Sequence, residues 1–183
     1  MKKIIILFCI SVLIISSSSS CKKLIAAVFG GTNVDVPAFQ LTIPAIPVVL
    51  SNEISIGSYS FYFNLDSTVR ANTAGAFGAN SVNSIKLKKV IFSLTNTDSL
   101  NNLANFVSAR VTLQSNINST PVQLFKIDFP DSTASTYTYN PTTSPELVSY
   151  LKGTTITYNT YGQMRRITTK PLNLVVTVTV TAD

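Results

Sequence analysis

Few side chains in this 183-residue chain are suited to catalysis, and histidine is not among them. Without imidazole the chain lacks the most frequent general base and the commonest transition-metal ligand. Its two cysteines are Cys9 and Cys21, so nothing downstream supplies a thiol nucleophile or a disulfide framework. Three groups remain to be considered. Lys86, Lys88 and Lys89 would each need a hydroxyl neighbour to form a Ser–Lys dyad. Asp128 and Asp131 are a carboxylate pair of the kind that runs glycosidic chemistry. Asp98 with Asn101 and Asn102 offers oxygen ligands, but lacks the acidic count and the glycine of a calcium loop. Simpler readings exist for all three. The lysines suit a solvated sheet face with a bulge, and Asp128 and Asp131, with Pro130 between them, suit a strand end and a turn. The expectation is no catalytic residue, no metal and no cofactor. A non-enzymatic protein is favoured, with a hydrolase the remotest reading.

Recognition chemistry is better represented. Tyr137 and Tyr139 stand in a polar stretch, and Tyr158 and Tyr161 flank a later strand pattern; exposed tyrosines can stack on sugars or bury in a partner. Arg165 and Arg166, with Lys170, form a basic cluster suited to phosphate or an anionic glycan. Tyr137, Tyr139, Arg165 and Arg166 are therefore the candidate binding surface, with rings over the domain edge and a solvated hairpin tip as the plainer alternatives. The chain contains no tryptophan, the usual sugar-stacking platform. The formal charge of +6 is concentrated at the start. From Leu24 onward ten Lys or Arg face eight Asp or Glu, a net of +2, and no nucleic-acid partner is expected.

The first 23 residues have a plan of their own. Lys2 and Lys3 precede an apolar run from Ile4 to Ile15, broken only by Ser11, and Ser16 to Ser20 lead into Cys21. The run is short for a bilayer span and has the form of a cleaved secretory signal. A cysteine after small residues at the end of such a segment resembles the lipobox of bacterial lipoproteins. Ser20 fits the small-residue position before the cysteine, whereas Ser18 stands where that family most often has Leu. The resemblance implies cleavage between Ser20 and Cys21, lipid on the Cys21 thiol and amine, and attachment to the outer membrane, on the periplasmic face or at the cell surface. Ordinary cleavage would instead leave a free thiol at Cys21, and an uncleaved leader would be a membrane anchor. Three further triplets, Asp66-Ser67-Thr68, Asp98-Ser99-Leu100 and Asp131-Ser132-Thr133, resemble the O-glycosylation acceptor motif of exported proteins in some Gram-negative bacteria. That resemblance makes Ser67, Ser99 and Ser132 candidate acceptors, all expected in loops. Asp–Ser is also ordinary turn chemistry.

Positioning these residues falls to short strands. Two-residue alternation marks 39–43 between Pro37 and Pro44, then 59–65, 107–113, 125–129, 154–161 and 172–182. Between 85 and 94 the apolar phase changes at Lys88–Lys89, which predicts a β-bulge or a strand buried on both sides near its end. Ser144 as N-cap, Pro145, Glu146 and Gly153 predict one short helix near 145–152. The expected fold is all-β: an antiparallel, immunoglobulin-like sandwich of about seven strands. Residues 1–20 would be the signal, 21–36 a lipid-anchored tether, and 37–183 one domain. The expected partners are the membrane, through the lipid, and an envelope protein or glycan. A structural subunit of a surface assembly, with its long last strand paired to a neighbour, is the alternative.

Overall fold

A computed structural model describes residues 31–49 and 51–183. Eight strands, one more than expected, build two four-stranded sheets. They are β1 (Thr32–Ile43), β2 (Ile54–Tyr62), β3 (Ile85–Leu94), β4 (Phe106–Ser115), β5 (Val122–Asp128), β6 (Thr136–Tyr139), β7 (Thr155–Met164) and β8 (Leu172–Ala182). One sheet runs β1-β8-β3-β6 and the other β2-β7-β4-β5, all pairs antiparallel. The all-β sandwich is as the periodicity predicts. Its likeness to an immunoglobulin domain lies in the two packed layers, because this strand order is the double Greek key of a jelly roll.

The first strand begins at Thr32, so the last five residues assigned to the tether belong to the sandwich. β1 is an edge strand, and its register against β8 shifts between Val36 and Phe39, where the exposed Pro37 sits. A proline lacks the N–H a ladder needs and is accommodated at an edge bulge. In β3 the expected bulge is present. The register with β8 shifts between Leu87 and Lys89, which leaves Lys88 as the extra residue. That extra residue restores the phase, so Ile85, Leu87, Val90, Phe92 and Leu94 are all buried. A shift between Phe106 and Ser108 corrects the alternation expected at Val107, which is only half-buried while Phe106 is in the core.

The core lies between the sheets and is held by rings meeting across them. Phe39 of β1 packs on Tyr158 of β7 at 4.7 Å between centroids, and Phe92 of β3 meets Phe125 of β5 edge-on at 5.5 Å. Such pairs add about 0.5–1.5 kcal/mol each beyond the area they bury.

Two helices cross the end where β1 starts. The first, α1 (Leu65–Asn72), is additional to the one helix expected near 145–152; Asn64 caps it by accepting from Ser67 N. The second, α2 (Val148–Leu151), is shorter and starts later than predicted. Ser144 is not its N-cap: the Ser144 hydroxyl accepts from Leu87 N at 2.7 Å. Glu146 takes the capping role, accepting from Leu147 N and Val148 N, and it also accepts from Ile85 N at 2.6 Å. The sequence pattern marks the helix start, yet the same side chains satisfy the bare edge of β3, a competing demand that only the fold creates.

Candidate functional site

Antiparallel alternation sorts the connections into two ends. Residues 44–53, 95–105, 129–135 and 165–171 gather at one end, which we call the loop end. The connections holding α1 and α2 lie at the other, beside Thr32, which pairs with Ala182. The ends are one strand length apart, about 35 Å for the eleven residues of β8. Chain entry and the loop end are therefore on opposite sides of the molecule.

The loop end is rigidified by three buried amides. Asn101, Asn102 and Asn105 are each no more than 2% exposed, and every one is satisfied. Asn101 accepts from Thr169 N at 2.8 Å and donates to Asp98 Oδ1 at 2.8 Å. Asn102 accepts from Ala104 N and donates to the Asp98 carbonyl. Asn105 accepts from Asn102 N, and its amide donates to both the Leu100 carbonyl at 3.0 Å and the Ile167 carbonyl at 2.6 Å. The 44–53 connection joins through Ile46 N, which donates to Thr168 Oγ1. Sequence reasoning weighed Asn101 and Asn102 as ion ligands and did not single out Asn105. The asparagine density between residues 96 and 105 was the available signal.

These bonds hold apolar side chains out in solvent. Leu100 is 68% exposed and Ile167 46%, and both line a cleft of about 480 Å³ with Ser99, Ala104, Thr133 and Arg166. Leu100, Ala104 and Ile167 are its apolar members, the other lining residues, Asn102, Asn105 and Thr169 among them, are polar or charged, and no aromatic ring among the described residues contributes to it.

Of the predicted site residues, four converge here. Ser99 and Ser132 are exposed in the 95–105 and 129–135 connections, as acceptor sites require. Arg165 and Arg166 are present too, but they are engaged internally. Arg165 donates to the carbonyls of Phe129, at 2.8 Å, and Ala104. Arg166 pairs with Asp131 at 2.5 Å, and Lys170 pairs with Asp98 at 2.6 Å. The basic cluster thus clamps neighbouring loops. The Arg166 guanidinium beside Asp131 and the Lys170 ammonium beside Asp98 hold both carboxyls below the usual range.

Two expectations are corrected by packing. Tyr137 and Tyr139 lie in β6 with their rings on the core. Tyr137 meets Phe129 edge-on at 5.5 Å, and Tyr139 meets Phe125 at 6.4 Å while also lining a polar cleft of about 380 Å³. β6 covers an otherwise open side of the sandwich, which draws both rings inward. Tyr158 is buried, and Tyr161 lies under the Arg110 guanidinium at 4.0 Å. Ser67 is exposed but falls in α1, away from the loop end, rather than in a loop. Its Asp66 pairs with Arg70 at 2.7 Å and accepts from Ala79 N. Each of the three Asp–Ser triplets thus has a structural use for its aspartate. Ser20 and Cys21 lie outside the described residues.

Among the described residues no three His, Cys, Asp or Glu side chains approach as a metal site would need. No helix there is long and apolar enough to cross a membrane.

No protein-family profile and no curated protein matches this chain. Similar solved structures are remote. Infectious bursal disease virus, Gt strain, is 8% identical with a TM-score of 0.37, covering 82% of this chain, which spans only 31% of that one. The family 32 CBM from C. perfringens NanJ, solved in complex with galactose, is 6% identical with a TM-score of 0.36, covering 81% of this chain and 99% of that one. The decameric BFDV capsid protein is 12% identical with a TM-score of 0.32, covering 84% and 98%. No binding or assembly property is carried over from them.

Proposed function

We propose that the chain is a lipid-anchored protein of the bacterial cell envelope, held to the outer membrane through Cys21, and that its sandwich is a non-enzymatic binding module presenting the loop-end cleft to a protein partner. The observation that supports this is the pair Leu100 and Ile167, kept exposed beside a cleft by one buried amide. Exposed aliphatic side chains on a rigid frame suit an interface centre better than a solvated tip. The exposed Leu100 and Ile167 and the lack of a lining ring favour a protein over a glycan at this cleft, since Tyr137 and Tyr139, which could stack on a sugar, lie in β6 against Phe129 and Phe125. Thr32 and the cleft lie at opposite ends of the sandwich, an arrangement that suits a cleft facing away from a membrane holding Cys21.

The assembly alternative cannot use its long last strand, because β8 has β1 on one side and β3 on the other. To test the binding role, a photo-crosslinking residue is placed at Leu100 in the full chain in cell envelopes, with Ile117, 60% exposed at the other end, as the control. One discrete protein adduct is expected from Leu100 alone, abolished by Ile167→Asp. Equal adducts from both positions, or glycan binding indifferent to Ile167→Asp, would overturn the reading.

A further inference from the structure

Every open sheet has edges, and three of the four here are blunted. β1 contains Pro37 and a register shift. β5 carries Lys126 and Asp128, a register shift against β4, and Pro121 and Pro130 at its flanks. β6 is four residues long with Pro141 just beyond it. β2 differs. Among the described residues it pairs only with β7, and its sequence, ISIGSYSFY, has no charge and no proline. After the shift near Ile56, its six residues from Gly57 to Tyr62 run in unbroken register against β7. Among the described residues, its backbone forms no hydrogen bond on the side away from β7.

The side chains beside this edge are equally unfinished. Ile54, Ile56, Tyr59 and Phe61 of β2 are half-buried, as is Leu41 of β1, which reaches the corner beside Gly57. Phe39 stacks on Tyr59 at 6.0 Å, so β1 closes the inner side of the corner and leaves the outer side open. Natural sheets place Lys, Pro or a bulge on an edge to stop strand addition. An uncharged regular run flanked by half-covered apolar side chains is the arrangement used for strand addition.

We infer that the free edge of β2 accepts an extended, uncharged strand from another polypeptide, one face of which covers Leu41, Tyr59 and Phe61. A second copy of this chain is the less suitable occupant. Two β2 strands paired antiparallel about a two-fold axis would send their Thr32 ends in opposite directions, so one of the two chains would have to return across the length of a strand to reach the same membrane through Cys21. This choice of occupant rests on the anchor reading given above; the acceptor edge does not.

The test uses the full chain in detergent and a synthetic peptide of sequence TITYNTYGQM, that of β7, the strand β2 already pairs with. Amide hydrogen exchange is followed by mass spectrometry. With peptide at about ten times its Kd, exchange over residues 54–62 is expected to slow about tenfold, with residues 122–128 unchanged. The double variant Ser58→Lys with Tyr62→Lys, both exposed positions, should keep the thermal midpoint and lose the protection. Unchanged exchange at saturating peptide, or equal protection at 122–128, overturns the inference. Protection of 54–62 that grows with protein concentration alone assigns the edge to a second copy and overturns the choice of occupant. Intact mass of the same sample reports the acyl groups separately: protection in an unacylated chain removes the anchor reading and supports the acceptor edge.

Discussion

Asn105 donates its side-chain amide to the carbonyl of Ile167, 62 residues on, at 2.6 Å. The same amide reaches the Leu100 carbonyl at 3.0 Å, so one buried side chain sets the spacing of the two apolar residues at the cleft. Its own exposure is 2%, which leaves no water to replace it.

Asn105→Ala is therefore expected to deprive two carbonyls and Asn102 N of their partner and to lower stability by at least about 2 kcal/mol, since each orphaned buried group costs roughly 1–3 kcal/mol. Urea unfolding measures it. A loss below about 0.5 kcal/mol, the range of an ordinary surface change, would mean that the amide is dispensable.

The last strand supplies a paired test of sidedness. Val178 is 1% exposed, between Val36 of β1 and Val90 of β3, whereas the neighbouring Thr177 is half-exposed. Val178→Asp puts an unpaired charge in the core and should prevent folding, at a cost of several kcal/mol. Thr177→Asp should lower stability by less than about 1 kcal/mol. Circular dichroism melts of both variants decide it, and equal behaviour would refute the assignment of faces.

Acid should loosen the loop end. Hydrogen bonds from Lys170 to Asp98 and from Arg166 to Asp131 lower both carboxyl pKa values in the folded protein. A depressed folded value means that the stabilisation is present above the unfolded pKa, near 4, and is lost as pH falls below it toward the folded value. The thermal midpoint is expected to be level from about pH 7 to 5 and to drop progressively below about pH 4. Asp98→Asn should lower the plateau and flatten that drop. A wild-type midpoint unchanged down to pH 2 would contradict it.

The anchor has its own readout. One acyl chain binds a membrane only marginally at about 0.8 kcal/mol per CH₂, and two or more hold it durably. Intact mass of the membrane fraction should show a chain beginning at Cys21 and carrying acyl groups, and Cys21→Ser should accumulate as unprocessed precursor. A soluble, unmodified chain would remove the anchor.

Local physics made part of this protein readable from its residues. Alternation of side chains along a strand is a property of the extended backbone, so the all-β character could be read directly. So could the bulge at Lys88, because one extra residue is the only way Ile85, Leu87, Val90 and Phe92 can share a face. Pairing partners, by contrast, are chosen by the whole chain. Whether Tyr137 faced a ligand or Phe129 depended on β6 docking beside β3. Whether Arg166 was free depended on the 129–135 connection arriving with Asp131. The role of Ser144 turned on the bare edge of β3, which the helix pattern could not register. Strand order brings together residues far apart in sequence, and each then satisfies the nearest unpaired group that burial presents. That competition among distant partners is settled only in the folded state.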